Sequence, residues 1–280
     1  MRISGVIETA RGLGAHDHMC WVYENPDDFR VRVREFLAEG LAQGQRVCYI
    51  APGDFQAMAD DLCGLDGFAG ALQRGAAQLI PLGSAYPVGT VIKPDAQVSA
   101  YAAATQQALA AGFTGLRVAA EVTSLVRTAS QLDAFTRYEQ LVDRYMTSRP
   151  FSAMCAYDRG QLGEAATAQL ACLHPSTNSV TPGFRLHASM SAAASLAGEL
   201  GLGNVALFGL ALQRADLRPT GGELVIDAAE VTFMDHRSLI MLAEYGRRNR
   251  VTVVLRICWR GAARLVQLLN LDGVRVEPLA

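Results

Sequence analysis

Histidine, cysteine and acidic side chains in the first 175 residues have the chemistry of metal ligands. One short stretch carries His16, His18 and Cys20 at alternate positions, and His174 lies far along the chain. Zinc sites usually pair His and Cys ligands about two to five residues apart, a spacing that this stretch fits only loosely. We therefore expect a histidine and a cysteine that pack in the core on a buried strand, with no metal and no cofactor.

Two carboxylates follow apolar runs that resemble strands. Glu121 ends the run from Arg117, and Asp158 ends the run from Met154. Ligands on parallel sheets bind beyond the carboxyl ends of the strands, so both side chains could line one crevice and do acid–base work. We favour the alternative that one of them forms an ion pair with Arg117 or Arg159.

A predicted strand-to-helix corner in the last third of the chain is the strongest sign of a partner surface. The run Leu224–Ala243 reads as a buried strand, a turn at Asp235 and an amphipathic helix. The free N–H groups of a helix start can meet a partner or a phosphate, and Asp235 is placed to cap it, which is worth about 1 kcal/mol. Arg237 is then either a solvated residue or a partner contact.

Composition excludes several classes of protein. The 280 residues suggest one large or two ordinary domains. The net charge of −2 is not the excess of positive charge that is typical of a nucleic-acid-binding protein. Because no window approaches about 18 continuous apolar residues, we expect no membrane span, and the N-terminus lacks the apolar core of a signal peptide. The six scattered cysteines contain no C-x-x-C, which favours a cytoplasmic protein with free thiols.

The elements that must position these residues alternate between strands and helices. In the first 175 residues the apolar runs predict strands at 18–23, 46–51, 78–82, 116–121 and 152–158. Helical spacing predicts helices at 27–43, 54–63, 95–111, 131–147 and 161–173. This alternation predicts an α/β fold with a mainly parallel sheet covered on both faces.

A polar segment with two prolines and a glycine, 174–183, predicts a break in the chain, and we place the linker at 176–183. After it, strands are expected at 184–188, 222–227 and 252–257, and helices at 204–214, 237–248 and 262–269. Residues 184–280 are thus predicted to form a smaller α/β domain.

Three separated motifs in residues 1–175 resemble the MEDS domain, a sensory module. They are a His-x-Cys-x-x-Tyr-Glu opening at His18, Cys20, Tyr23 and Glu24, a Cys-x-Tyr-Asp strand at Cys155, Tyr157 and Asp158, and a closing His174-Pro175. The resemblance implies a fold related to RecA-like ATPases and the binding of a small molecule. It implies a ligand site that includes His18, Cys20, Tyr23, Glu121, Asp158 and His174.

Nucleotide hydrolysis is not expected in spite of that fold. A P-loop needs G-x-x-x-x-G-K-[ST] after a strand. The segment Val47–Asp54 instead has one glycine, a proline and an acid, and Lys93, the only lysine, lies elsewhere.

Residues 184–280 resemble a STAS domain, the fold of anti-sigma-factor antagonists. The family corner reads Asp-Ser-Ser-Gly and is phosphorylated on its second serine, whereas this chain has Asp235, His236, Arg237 and Ser238. Arg237 stands in place of the phosphoacceptor, and Ser238 is rotated about 100° further around the helix. The resemblance implies that these four residues bind a protein partner of the anti-sigma-factor or kinase type without a phosphorylation switch.

The leading hypothesis is a non-enzymatic, cytoplasmic two-domain regulator that senses a small molecule and passes the signal to a protein partner. The ligand would need different affinities for two domain arrangements. A second hypothesis is an enzyme or ligand-modifying protein that uses Glu121 and Asp158, or Cys20. A third is an assembly module without a ligand, and homodimer formation stays open.

Overall fold

Two compact units make up the chain, Met1–Val180 and Thr181–Ala280. The computed structural model describes residues 2–87, 89–215 and 217–279. Each unit has its own β-sheet with packed helices, so the predicted α/β class is confirmed. None of the described helices has both the length and the apolar character that crossing a bilayer requires.

The first unit is a seven-stranded parallel sheet with helices on both faces. Its strands are β1 (Gly5–Val6), β2 (His18–Tyr23), β3 (Arg46–Ala51), β4 (Ala77–Pro81), β5 (Leu116–Glu121), β6 (Phe151–Asp158) and β7 (Ser176–Thr177). Its helices are α1 (Pro26–Ala42), α2 (Phe55–Asp61), α3 (Phe68–Gln73), α4 (Leu82–Ala85), α5 (Pro94–Ala110), α6 (Ala129–Met146), α7 (Arg159–Leu162) and α8 (Glu164–Ala171), with a short 3-10 helix at Thr123–Leu125.

The strand order of this sheet is β1-β7-β2-β6-β5-β3-β4. Apolar residues of α1, α2 and α3 pack on one face, and those of α5, α6 and α8 pack on the other. The strands that form the middle of the sheet are therefore buried on both sides, which explains their continuous apolar runs.

The two long helices nearest the site begin at sequence signals that satisfy free backbone N–H groups. Asn25 caps α1 through the N–H of Asp27, and Pro26 occupies its first turn. Thr128 and Gln131 form a capping box at the start of α6. The start of α6 is thus fixed, and so is the register of the acidic residues that it carries.

The second unit is a five-stranded mixed sheet. Its elements are β8 (Phe184–His187), β9 (Ala194–Leu200), α9 (Val205–Arg214), β10 (Glu223–Met234), α10 (His236–Asn249), β11 (Thr252–Ile257), α11 (Gly261–Leu268) and β12 (Val274–Pro278). The order is β12-β11-β10-β9-β8, with β8 and β9 antiparallel and the other pairs parallel.

Three expectations need correction. Ser176 and Thr177, which we placed in the linker, form β7 and pair with β1 and β2. The helix expected at 161–173 is broken into α7 and α8 at Gly163, whose φ of 75° only glycine adopts readily. Strands β9 and β12 were not expected, because their small or few apolar residues give a weak alternating pattern.

Candidate functional site

A fully buried polar cluster lies on the face of the first sheet that α5, α6 and α8 cover. We call it the His–Cys–Glu cluster, and it consists of His18, Glu139, Cys155 and His174. β2 supplies His18 and its neighbour β6 supplies Cys155, while Glu139 comes from α6 and His174 follows α8. One ligand atom of each residue lies within 4.8 Å of the ligand atoms of the others.

Helix α6 supplies two carboxylates to this cluster because Glu139 and Asp143 are four residues apart and share one face. Glu139 Oε2 lies 3.2 Å from Nε2 of His18, and Asp143 Oδ1 lies 2.9 Å from Nδ1 of the same ring. The Tyr157 hydroxyl donates to the other oxygen of Glu139. Arg2 forms an ion pair with Asp143. Both carboxylates are therefore held in fixed orientations.

His174 is oriented by the end of α8. Its Nδ1 atom lies 2.9 Å from the carbonyl oxygen of Leu170. This contact turns Nε2 into the cluster, 3.5 Å from Glu139 Oε2. Within the described part of the chain this Nε2 atom is buried and makes no hydrogen bond, since the contact with Glu139 lacks the geometry of one. The rings of His174 and His18 lie 4.1 Å apart at their centroids.

Burial and charge act against each other in the cluster. Burial opposes a charge on His18, but hydrogen bonds to Asp143 and Glu139 outweigh it and raise the His18 pKa. Burial likewise opposes the Glu139 carboxylate, but His174 and His18 lower the Glu139 pKa. Burial and the nearby Glu139 charge raise the pKa of Cys155 well above its ordinary value. Glu139 is thus the anionic centre around which cationic or donor groups gather.

A second group of predicted site residues lies at the carboxyl edge of the same sheet. The Tyr23 hydroxyl lies 3.2 Å from Glu121 Oε1, which also accepts a hydrogen bond from the N–H of Thr123. The N–H of Asp158 donates to the Thr123 hydroxyl, which ties the ends of β5 and β6 together. Burial raises the pKa of Glu121, and it raises that of Tyr23 as well.

This edge has the topology of a ligand-binding crevice. β2 leads into α1 on one face of the sheet, whereas its neighbour β6 leads into α7 and α8 towards the other face. Connections that leave neighbouring strands in opposite directions open a crevice at their carboxyl ends, where open α/β sheets bind ligands. Tyr23 ends β2 and Asp158 ends β6, so both lie at this switch point. We call Tyr23, Glu121, Thr123 and Asp158 the edge crevice.

The expectation of one continuous site is wrong. Side chains alternate along a strand, so His18 and Cys20 point to one face of the sheet and Tyr23 to the other. Cys20 and His174 are fully buried with His18 and cannot reach a ligand in the edge crevice. His16, also weighed as a metal ligand, contacts the carbonyl oxygen of Met146 instead.

The expected ion pairs of the edge carboxylates are also wrong. Arg117 is buried at the amino end of β5, where it donates to Gln45 and to the Leu13 carbonyl oxygen. Arg159 pairs with Glu24. Asp158 instead caps α7 through the N–H of Gln161. Cys20 is no better placed for chemistry, because burial raises its pKa well above the ordinary value and keeps it a thiol.

The strand-to-helix corner of the second unit forms at the expected place. Asp235 caps α10, accepting hydrogen bonds of 2.8 Å from both the N–H and the hydroxyl of Ser238. Ser238 is fully buried, so its expected role as a partner contact is wrong. His236 and Arg237 are exposed, and Asp235 is partly exposed.

Apolar side chains surround this corner on the same edge of the sheet. β9, β10 and β11 are parallel, so the segments that follow them lie side by side. Leu202 follows β9 with 68% of its surface exposed, and Phe233 at the end of β10 is 46% exposed. Phe233 contacts Trp259, which follows β11, with 5.7 Å between ring centroids. We call Leu202, Phe233, His236, Arg237 and Trp259 the corner surface.

Sequence reasoning missed the acidic half of the buried cluster. Glu139 and Asp143 were not singled out, because acidic residues on a helix normally face solvent. One signal was available. In α6, Glu139 comes four residues after the apolar Phe135, and Asp143 comes three residues before the apolar Met146, which places both acids on the buried face.

The first unit is thus a parallel α/β domain with polar side chains at its switch point, the place where sheets of this kind bind ligands. Residues 17–175 match a family model described as the MEthanogen/methylotroph, DcmR Sensory domain, or MEDS. This match covers more than half of the chain, and the chain belongs to the MEDS family. The expected MEDS resemblance is therefore confirmed. A comparison with curated proteins finds no match, and the STAS resemblance of residues 184–280 stays a prediction.

Proposed function

We propose that this protein is a cytoplasmic signalling regulator that binds a small molecule in the edge crevice and a regulatory protein through the corner surface. The observation that carries the proposal is the MEDS sensory domain, matched over residues 17–175, followed by a separate α/β unit. The partner is of the anti-sigma-factor type, as the STAS resemblance implies, and the regulator is not an enzyme.

The edge crevice offers a ligand both polar and aromatic groups. Tyr23 is partly exposed, and its ring stacks on Phe29 with 4.8 Å between centroids. Glu121 is 8% exposed, so a ligand that donates a hydrogen bond to it would be largely shielded from water. Such a site favours a small, partly apolar molecule with a hydroxyl or amine donor.

The corner surface supports the partner-binding part of the proposal. Aromatic and arginine side chains dominate the binding energy of many protein interfaces, and Phe233, Trp259 and Arg237 are of these types. Phosphorylation would not switch this surface. Ser238 is buried against Asp235, and a phosphate there would place negative charge beside a carboxylate.

The ligand half of the proposal is tested by native mass spectrometry of the full chain purified from its own cells. We expect an added mass that disappears in Tyr23→Phe and Glu121→Gln. The control is Glu24→Gln, which removes an exposed carboxyl beside the crevice. A wild-type mass without any adduct, or an adduct retained by both variants, would contradict a ligand in the edge crevice.

The partner half is tested with the kinase-type anti-sigma factors encoded in the same genome, by biolayer interferometry. We expect one of them to bind the full chain, and Arg237→Glu and Phe233→Ala to weaken binding about tenfold or more, the scale of a hot-spot residue. The control is Arg248→Glu, about 16 Å further along α10. Equal binding by all variants would exclude the corner surface, and no binding at all would exclude this class of partner.

A further inference from the structure

We propose that the His–Cys–Glu cluster binds one zinc ion through Nε2 of His18, Nε2 of His174, Sγ of Cys155 and a carboxylate oxygen of Glu139. This inference goes beyond the sensory function and does not depend on it. It rests on the spacing of the four atoms, on the orientation of both rings and on the charges around them.

Four of the six distances between these atoms are close to those of a tetrahedral site, and all six are within 4.8 Å. Zinc bonds of about 2.0–2.3 Å place neighbouring ligand atoms about 3.3–3.7 Å apart. Glu139 Oε2 lies 3.2 Å from His18 Nε2 and 3.5 Å from His174 Nε2. Cys155 Sγ lies 3.5 Å from His18 Nε2 and 3.6 Å from Glu139 Oε2. Little movement is needed to close these atoms around one ion.

Hydrogen bonds on the far side of each ring direct its other nitrogen towards the ion. A carboxylate and a backbone carbonyl can only accept, so Nδ1 of His18 donates to Asp143 and Nδ1 of His174 donates to Leu170. In the neutral imidazole, each Nε2 atom then carries a lone pair that faces Glu139. These lone pairs and the carboxylate repel one another unless His18 is protonated at Nε2 or a metal ion lies between the three groups.

The surrounding contacts are those that support metal ligands in proteins. Ligating histidines commonly donate their second N–H to a carboxylate or a backbone carbonyl, and both arrangements occur in this cluster. The Tyr157 hydroxyl holds the second oxygen of Glu139, which orients the first oxygen towards the histidines. Arg2 in turn holds Asp143.

The charges of these buried groups balance when zinc is bound. The carboxylates of Glu139 and Asp143 carry two negative charges, and Arg2 carries one positive charge. A zinc ion with a Cys155 thiolate adds one net positive charge, which leaves the group neutral. Neutrality matters because a protein interior, unlike water, cannot solvate an uncompensated charge.

Four buried protein ligands are typical of a closed, structural zinc site, whereas a catalytic site keeps one coordination position open. Two nitrogens, one sulfur and one oxygen in a tetrahedron suit zinc better than calcium or magnesium, which take oxygen ligands. The ion would join β2, α6, β6 and the segment before β7, and would thereby fix the carboxyl boundary of the MEDS domain.

The test uses the full-length chain, reduced, stripped with a chelator, incubated with Zn²⁺ alone and desalted. We expect one zinc per chain by mass spectrometry of the metal, and at least a tenfold loss in Cys155→Ser and in His174→Asn. The matched controls are Cys48→Ser and His16→Asn, which remove a buried cysteine two strands away from Cys155 and a histidine that contacts the Met146 carbonyl oxygen. Both controls should keep their zinc.

Cobalt(II) in place of zinc gives a readout in the unmodified protein, which excludes misfolding of a variant as the explanation. We expect the intense visible bands of four-coordinate cobalt and a thiolate-to-cobalt charge-transfer band that Cys155→Ser abolishes. A wild-type chain that retains no zinc and shows no such bands would overturn the proposal. Equal zinc in wild type and in both cluster variants would overturn it as well.

Discussion

At the scale of single residues, the first unit separates two kinds of polar group. The His–Cys–Glu cluster is sealed, and Glu139 receives contacts from His18, His174 and Tyr157. Buried charge of this kind is tolerated only when it is compensated. Among the described residues, the hydrogen-bond partners of Glu121 in the edge crevice are Thr123 and Tyr23, neither of which is cationic. A buried carboxylate without a cationic partner can accept a hydrogen bond from a ligand that carries a hydroxyl or amine group.

Replacing Glu121 with glutamine should stabilise the protein at neutral pH. Burial raises the pKa of this carboxyl, so the folded state binds its proton more tightly than the unfolded state does. Stability is therefore lost as the pH rises from the ordinary carboxyl pKa of about 4.3 towards the folded value. Glu121→Gln should gain roughly 1 kcal/mol in the free energy of unfolding at pH 8, with no gain at pH 4.

Calorimetric melting temperatures at both pH values measure this difference. Glu24→Gln serves as the comparison, because Glu24 is exposed and paired with Arg159, and it should gain nothing at pH 8. A Glu121→Gln protein that melts below the wild type at pH 8 would show that the carboxylate is stabilising, contrary to this account.

At the scale of elements, the packing of α1 on β5 depends on a glycine that faces a buried arginine. Arg117 is fully buried and donates to Gln45 and Leu13. A Cβ atom at Gly40 would lie 2.6 Å from the Arg117 Cδ atom and 2.8 Å from Val47. The helix can approach the sheet this closely only because position 40 has no side chain.

Gly40→Ala should therefore destabilise the first unit by about 1–3 kcal/mol, the usual cost of overpacking a core. Urea unfolding measured by circular dichroism gives the value. Gly70→Ala in α3 is the matched control, since its Cβ would meet only the tip of the exposed Arg74 side chain at 3.1 Å. Alanine favours a helix over glycine, so the control should be neutral or stabilising. Equal losses in both variants would argue against a steric cause.

The corner of the second unit depends on an irregular strand. β10 spans Glu223–Met234, and its register against β9 shifts twice, between Asp227 and Glu230 and between Val231 and Phe233. Such bulges re-aim side chains at the end of a strand. Met234 is buried while Phe233 is exposed, so the strand delivers an aromatic ring to the surface just before the cap at Asp235.

At the scale of the whole molecule, the boundary between the units follows the last strand of the first sheet. β7 lies between β1 and β2, and the Asn178 side chain extends this pairing by accepting from the N–H and donating to the carbonyl oxygen of Val22, at 2.8 and 2.7 Å. The segment between the units is therefore shorter than the 176–183 that we expected.

A fragment that ends at residue 180 should be more stable than one that ends at residue 175. The shorter fragment loses β7 and the Asn178 bonds, which leaves β1 without its neighbour. At about 1 kcal/mol for each lost hydrogen bond, we expect a difference of at least about 2 kcal/mol in the free energy of unfolding. Urea titrations of the two fragments give the comparison. Equal stability of the two fragments would instead place the end of the first unit at residue 175.

Much of this architecture could be read from the chain because it depends on local patterns. The limits of β2, β3, β5 and β11 agree with those expected, since each is a mostly apolar run of six residues. β9 was not predicted because Ala194–Leu200 contains small residues, including Gly198, which weaken the hydrophobic pattern of a strand. β1 and β7 have two residues each, and no periodicity can reveal a strand of that length.

The sequence alone determined the α/β class, the membership of residues 17–175 in the MEDS family, and the Asp235 corner, because motifs, caps and hydrophobic periods are local. Only the tertiary structure decided which side chains meet. Because side chains alternate along β2, His18 and Tyr23 lie on opposite faces of the sheet. The packing of α6 brings Glu139 to His18 from more than a hundred residues away. Contacts between residues so far apart in sequence depend on how the helices pack on the sheet. The spacing of residues along the chain does not determine that packing.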